Sequence, residues 1–531
     1  MKLIKNIYIL ISVLLVVSCE ILDKKDLGAV TDIWEDENYL NAYVNNLYND
    51  LPGWNYSNMD NSTDEGRCVY AGNSANSVLL AGLVTPTNDP LAYWKYDLVR
   101  KCNEFLKGVE NSEVNGKSKM IAEVRFLRAF QYFQMIMRYG EVPLIKEPQV
   151  LDDDLFVSRN SIDECFSFLE EEFDAAADMF KQEGIITTTD GRACQGAALA
   201  MKTKALLYHA SPLFNPSNDK ERWKKVIESA ESVMKLDYSL YVDFANIHQH
   251  NTNKEIIFKK EYKRTTRTHG RHDYVTPMSI SVGDVGYCYP VQELVDAFPM
   301  SNGRAITEPG SGYDPNNPYV NRDDRFYATI LYNGGTGYGR TQYTYLGYPI
   351  DGVGADRGTN TGYFCIKAVN HELKDYDYGY GDETCFIYIR LADIYLMYAE
   401  AKNEYLSVPD DSVYDVLDKI RVRAGCTPNQ IKRDMSKEEM REFILNERYI
   451  EFAFEQIRCW DLRRLKLAGK LLNGKKMHGI AIEKREDGSY DYKNIVEVDA
   501  NPIVFKECMY LCPIPYSEIV ANPNMKQNTG Y

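Results

Sequence analysis

Long apolar runs are missing from this chain beyond its first 17 residues: no later segment holds the roughly 18 uninterrupted apolar residues a membrane-spanning helix needs. Positive charge is also short. Against 61 Lys and Arg stand 77 Asp and Glu, a formal net charge of -16, and the field of such a surface repels polyanions. Nucleic acid and bare anionic lipid are therefore poor partners. Catalytic and cofactor signatures are lacking too. The sequence has no HExxH, no cysteine–histidine zinc spacing, no CxxC and no G-x-S-x-G elbow. Gly334-Gly335-Thr336-Gly337-Tyr338-Gly339 lacks both the Lys-Ser/Thr ending of a phosphate loop and the order of a dinucleotide fingerprint. His248 with His250, and His269 with His272, read as solvated loop histidines. Asp314-Pro315-Asn316-Asn317, followed by Asn321, Asp323 and Asp324, offers oxygen donors that could take Ca2+ but not at EF-hand spacing. A plain turn is expected there, and no cofactor is implied.

What is present begins with Lys2 and Lys5, a basic start to the apolar run Ile7 to Val17. The run is too short to span a bilayer stably and reads as an export signal. It ends in Val16-Val17-Ser18-Cys19, which resembles the lipobox of bacterial lipoproteins. That resemblance implies cleavage of residues 1–18 and lipid on the Cys19 thiol. Loss of Lys2 and Lys5 takes the charge to -18. Glu20, Asp23, Asp26, Asp32, Glu35, Asp36 and Glu37 make the tether acidic. Setting Cys19 aside from the 12 cysteines leaves an odd number, so at least one thiol has no intramolecular partner. Cys365, Cys385 and Cys459 sit among apolar neighbours, where cysteine acts as a small buried hydrophobe.

No linker or low-complexity stretch divides the 531 residues, so one compact body from about 38 to 531 is expected. Within it, 19–236 and 383–531 read as helical and 237–382 as a loop-rich insertion. Ala122, Phe126, Phe130, Phe133 and Met137 make a helical stripe that Gly140 and Pro143 stop. Ala193, Gly196, Ala197 and Ala200 form a small-residue face that invites close approach by a neighbouring helix. Helices are also expected near 161–180 and 219–236, and Trp94, Trp223 and Trp460 fall on predicted helices. Later, Leu391 to Ala399 and Val413 to Ala424 keep helical period, the second ending at Gly425. Ser436 and Glu439 form a capping box that opens a long helix predicted to run through Arg464. Such helix pairs bury their faces only by stacking. The fold class is mainly α: a tetratricopeptide-like helix-pair scaffold with a short-strand, loop-rich insertion forming the ligand face.

The late block Asn446-Glu447-Arg448-Tyr449-Ile450-Glu451-Phe452-Ala453-Phe454-Glu455, then Arg458-Cys459-Trp460-Asp461-Leu462-Arg463-Arg464, resembles the signature of the SusD/RagB family of outer-membrane nutrient-binding lipoproteins. Further blocks agree in order. They are Glu123 to Ala129 with Tyr139 to Leu144; Glu293 to Phe298 through Asn321 to Phe326; Arg390 to Asp393 with Tyr398 to Ala401; Ile420 to Gly425; Pro513 to Pro515; and Gln527 to Tyr531. The resemblance spans nearly the whole mature chain. It implies a lipid-anchored protein on the extracellular face of a Gram-negative outer membrane. There it would lid a SusC-like TonB-dependent transporter and capture a nutrient, most often an oligosaccharide or polysaccharide, through variable loops outside the shared blocks.

Glu447 and Glu451 stand one turn apart, as an acid and nucleophile pair would, but on a helix dense in Arg448, Arg458, Arg463 and Arg464 they read as a structural ion network. No catalysis is assigned. Sugar binding asks for flat aromatic faces beside hydroxyl-binding groups. Trp54 and Tyr56, with Asn58 close by, combine a loop, aromatics and amides; Tyr70 and Asn73 follow in the next turn. Among the 40 tyrosines, Tyr274, Tyr287 and Tyr289 and the later Tyr338, Tyr343 and Tyr345 offer an opposing wall. The rival readings are a peptide-binding lid of the same transporter type, a surface glycoside hydrolase resting only on Glu447/Glu451, and a purely structural adaptor.

Overall fold

The computed structural model describes residues 30–54, 58–69, 74–249, 252–264, 266–280, 288–356, 358–371, 381–428 and 431–531. Its framework is helical: α1 Glu37–Asn49, α2 Tyr96–Gly108, α3 Lys117–Tyr139, α4 Ile162–Gln182, α5 Gln195–Ala210 and α6 Lys220–Met234, then, beyond the middle region, α7 Leu391–Tyr405, α8 Asp411–Arg423, α9 Lys437–Glu451 and α10 Arg458–Arg464. α3 packs on α1, α2 and α4, and α4 on α5; the series continues through α6 to α7, which carries α8 and α9. Helices from both ends of the chain thus share one core, from Leu40 to Met525. Among the described residues no helix is long and apolar enough to cross a membrane.

Local chemistry explains the boundaries. The predicted stripe of α3 is buried, and Phe126 and Phe130 meet a two-stranded antiparallel sheet, β1 Ile256–Lys260 and β2 Phe386–Arg390. Phe126 contacts Phe258 at 4.8 Å and Phe130 contacts Tyr388 at 4.9 Å between ring centres. α4 and α9 open with complete capping boxes, Ser161/Glu164 and Ser436/Glu439. α8 stops at Gly425, whose φ of 76° suits glycine; a Cβ there would collide with the Asp324 carboxylate. The small face of α5 has a different neighbour from the expected helix at Gly196, where the missing side chain makes room for the Tyr238 phenol.

Three expectations are corrected. Trp94 lies in the loop before α2, its ring edge-on to Tyr139 at 5.0 Å. The helix predicted to run through Arg464 breaks after Glu451, turns through left-handed Phe454 (φ 60°) and Gln456 (φ 62°), and resumes as α10. Buried charges satisfy the peptide groups freed by the break: Lys367 Nζ and Arg390 Nη2 donate to the Glu451 carbonyl at 2.9 and 3.0 Å, and Arg271 Nη2 to that of Phe454 at 3.0 Å. His248, His269 and His272 are buried, not solvated. His269 Nε2 sits 2.7 Å from the Thr384 carbonyl, and burial pushes His248 down to about 3.

The Glu447/Glu451 pair belongs to a buried ion network. Arg325 Nη1 donates to Glu447 at 3.1 Å and to Glu451 at 3.0 Å. Arg390 pairs with Glu255, Glu451 and Glu455, and Arg423 joins Glu255 and Glu451. Around α10, Arg448 and Arg464 share Asp461, while Arg464 also holds Glu400 at 2.5 Å. Neighbouring guanidinium groups overcome burial and hold Glu451, Glu455 and Asp461 well below the usual carboxylate range.

The middle region supplies short strands and loops around a second core. Val291, Leu294, Phe298 and Phe326 pack there with Ile450 and Phe454, which seats the insertion on the end of α9.

Candidate ligand-binding face

Tyr56, Tyr70, Asn73 and Tyr287 lie outside the described residues, as does Cys19; Asn58 begins a short helical turn, with its side chain also outside them. Trp54 is 7% exposed, wedged among His248, His269 and Phe386. The Arg271 guanidinium stands 4.1 Å from its ring centre. The exposed face expected of Trp54 is thus covered by a cation that the sequence places 217 positions away. Tyr289 is fully buried, edge-on to Phe364 at 4.8 Å, in a two-residue strand pairing Tyr289–Pro290 with Gly66–Arg67. Tyr274 is half-buried, and its carbonyl accepts the Cys288 amide at 3.1 Å.

The glycine-rich segment set aside as a nucleotide loop forms a hairpin pairing Thr336 with Thr341 and Gly337 with Arg340. Tyr338 (φ 54°) and Gly339 (φ 72°) make its two-residue turn, the double left-handed geometry that matches strand twist. At this tip the Tyr338 ring lies 5.6 Å from His272 and 5.7 Å from His371. Like Val69, it packs against the buried cluster of Tyr289, Leu331, Phe364 and Ile366. The structure therefore joins two of the predicted tyrosines, one as a support and one as a partly exposed ring.

At the foot of the hairpin half-buried tyrosines gather in a cluster. Tyr343, Tyr345 and Tyr348 pack in a triangle with ring centres 5.3–6.0 Å apart; Tyr345 is also 5.5 Å from Tyr490, and Tyr490 is 6.2 Å from Tyr492. Tyr490 and Tyr492 share a face because they are two apart in an extended segment. Burial and, for Tyr490, neighbouring phenols raise both above the ordinary tyrosine value, so they stay neutral hydroxyls. The same stretch of chain carries buried polar side chains, of which Asn333 hydrogen-bonds the Tyr490 and Tyr492 hydroxyls. The buried Asp351 carboxylate accepts from Arg340 at 2.6 Å, Gln342 at 2.9 Å and Ser279 at 2.8 Å, and Asn333 Oδ1 accepts the Thr344 amide at 3.0 Å. Lys484 Nζ stands 5.2 Å from the Tyr345 ring centre. Tyr343 and Tyr345 were legible beforehand; Tyr348, Tyr490 and Tyr492 were missed. The available signal was the Tyr490-Asp491-Tyr492 alternation, hidden in a stretch read as helical. A separate cavity of about 310 Å3, lined by Trp223, Ile444 and Leu465 among others, lies in the helical scaffold.

A stack of helices bearing a loop-built aromatic face defines the class of protein. Residues 254–531 match the model of the SusD family, and residues 18–207 match a model described as starch-binding associating with outer membrane. The chain belongs to the SusD family. It is 26% identical over 473 residues to SusD-like protein P2 of Formosa agariphila, covering 83% of this chain and 80% of the relative. It is 24% identical over 474 residues to a SusD-like protein of Bacteroides ovatus, covering 81% and 79%. Among solved structures, a SusD-like protein of Bacteroides fragilis superposes with a TM-score of 0.78 at 29% identity, covering 96% of this chain and 99% of that one. A SusD-like carbohydrate-binding protein of the same species gives 0.78 at 25% identity, covering 93% and 100%.

Proposed function

We propose that this protein is a lipoprotein anchored through Cys19 to the extracellular face of the outer membrane. It binds oligosaccharide or polysaccharide without breaking it and passes it to a SusC-like TonB-dependent transporter. The observation that carries the reading is the cluster of half-exposed tyrosines with hydrogen-bonding side chains in the same segment, on a chain of the SusD family. Ring faces cover the C–H side of a sugar, and hydroxyls and amides take its O–H groups. Binding without chemistry accords with the Glu447/Glu451 pair, whose carboxylates are both engaged by Arg325.

The test is titration of residues 20–531 with a panel of neutral polysaccharides, with reducing ends assayed in parallel. Saturable binding without new reducing ends is expected. Steady release of reducing ends would replace the reading with a hydrolase, and binding of mixed peptides but no glycan would replace the cargo. For the anchor, Cys19→Ser is expected to move the protein out of the membrane pellet.

A further inference from the structure

We infer that a crevice between α3, α5 and α10 is a binding site for a small monovalent anion of halide size. The site is independent of what the protein carries.

Arg138 is its origin. The guanidinium is buried in the scaffold, 4% exposed, with the Tyr93 ring centre at 5.0 Å and the Trp460 ring centre at 4.5 Å. Its Nε donates to the Leu91 carbonyl at 3.2 Å, and its Nη1 donates to the Gln134 carbonyl at 2.8 Å and to Gln134 Oε1 at 3.0 Å. Among the described residues Nη2 has no hydrogen-bond partner and Arg138 has no ion pair. Rings and carbonyls solvate a cation but carry no countercharge, and an interior ion without one is costly. Arg322 makes the contrast. It too is buried without an ion pair among the described residues, but both of its Nη atoms are spent on the Pro318, Val295 and Phe298 carbonyls.

Neighbouring carboxylates do not supply the missing charge. Arg448 and Arg464 share Asp461, Arg448 and Lys204 share Asp393, and Arg464 also takes Glu400. Arg463, 5.7 Å from the same Trp460 ring, likewise has no ion pair among the described residues. Asp89 is close enough for both Arg138 and Arg463 to act on it, yet it pairs with neither, and burial raises it above the usual carboxylate value.

A crevice of about 80 Å3 lies against Arg138, room for an ion and a water. Gln134, Lys204 and Trp460 also line it, and its polar wall is one-sided. Gln134 must turn its oxygen to Arg138, which can only donate, so its NH2 group is left over. The Trp460 indole N–H has no partner among the described residues either. Lys204 Nζ meets the Tyr388 carbonyl at 3.0 Å and Asp393 at 3.4 Å and keeps a third proton. Glu455, in the same wall, is already bound by Lys367 at 2.7 Å and Arg390 at 2.8 Å. A water filling the space brings two protons that need acceptors. An anion takes donors only and carries the absent charge. Gln134 and Arg138 stand one turn apart on α3, while Lys204 comes from α5 and Trp460 from α10, so the bound ion ties helices from both ends of the chain.

The experiment is thermal unfolding of residues 20–531 at constant ionic strength, with sodium methanesulfonate, a bulkier anion, exchanged for chloride or bromide. Reaching about 0.1 M halide is expected to raise the midpoint of the wild type by about 2 °C or more, saturably. Arg138→Met, which keeps an unbranched stem between the rings, is expected to lose the halide effect. Gln134→Leu removes a donor but no charge and is expected to shrink it. Crystals grown in bromide should show an anomalous peak in the crevice. No halide effect on the wild type, or the same effect in Arg138→Met, overturns the site. A bromide peak without a shift in midpoint is an adventitious ion only and overturns it as well. Should Arg138→Met fail to fold, Gln134→Leu decides, and a halide effect equal to that of the wild type overturns the site.

Discussion

Arg390 holds Glu451 twice: its Nη1 meets the carboxylate at 2.6 Å while its Nη2 donates to the same residue's carbonyl at 3.0 Å. One guanidinium thereby ends a helix and neutralises the charge at its last turn. The link joins the sheet strand β2 to the end of α9, so a single side chain ties the helical scaffold to the segment that carries the second core.

Replacing that cation leaves Glu255, Glu451 and Glu455 short of their partner in the interior. Arg390→Met is expected to destabilise the fold by about 3–5 kcal/mol, the cost of breaking a buried ion pair on one side only. Urea unfolding would show a lower midpoint at an unchanged slope.

Acid acts through the same network. Glu451, Glu455 and Asp461 have folded values well below their unfolded ones. Their contribution is complete above the unfolded range near pH 4 and is lost as pH falls through the folded values. A steep drop in unfolding midpoint below about pH 4 is expected, and Glu455→Gln should flatten it.

Asp60 behaves oppositely. Burial raises it to about 6, and burial together with the nearby Asp60 and Asp64 carboxylates raises Glu65 well above its ordinary value. The folded state holds protons that the unfolded chain releases, so stability declines as pH rises from about 4 towards 6. Asp60→Asn is expected to reduce that decline, Glu65 supplying the remainder, with the largest relative gain above pH 6, measured as the difference in midpoint across a pH series.

Two glycines separate backbone strain from collision. Gly425 and Gly116 have nearly equal φ, 76° and 73°, but only Gly425 has a side chain in the way. Gly116→Ala is expected to cost about 1 kcal/mol, the left-handed penalty alone. Gly425→Ala should cost clearly more, since Asp324 must also move. Thermal unfolding of the pair makes the comparison.

Thiol titration tests the interior. Among the described residues nine cysteines are buried, and Cys68 and Cys508 are partly exposed. Burial also pushes Cys102, Cys385 and Cys426 up to about 12, and reactivity needs thiolate. An aromatic disulfide reagent should react promptly with no more than two of these thiols in the native protein and with all eleven in denaturant.

What could be read from the residues was whatever local chemistry decides. The capping box of Ser436 and Glu439, the stop at Gly425 and the stripe on α3 are nearest-neighbour effects, and they stand where the pattern put them. The break at Glu451 was invisible because Lys367, Arg390 and Arg271, which satisfy its peptide groups, come from far along the chain. Trp54 was misjudged for the same reason. Pro52, Gly53 and the amides after it look like a solvent loop, and only folding brings Arg271 over the indole. Tyr490 and Tyr492 escaped notice because period-two spacing over three residues is too brief to distinguish a strand from chance. Family blocks identified the scaffold, whereas the proposed ligand face is built from residues outside them.

The seam between α6 and α7 spans the middle of the polypeptide: one partner is finished by Met234, and the other does not start until Leu391. Such distant pairing delays closure. Until the last third has been synthesised, the growing chain keeps an open apolar edge and remains threadable. The same topology postpones the moment at which the molecule becomes too compact to pass through a narrow pore.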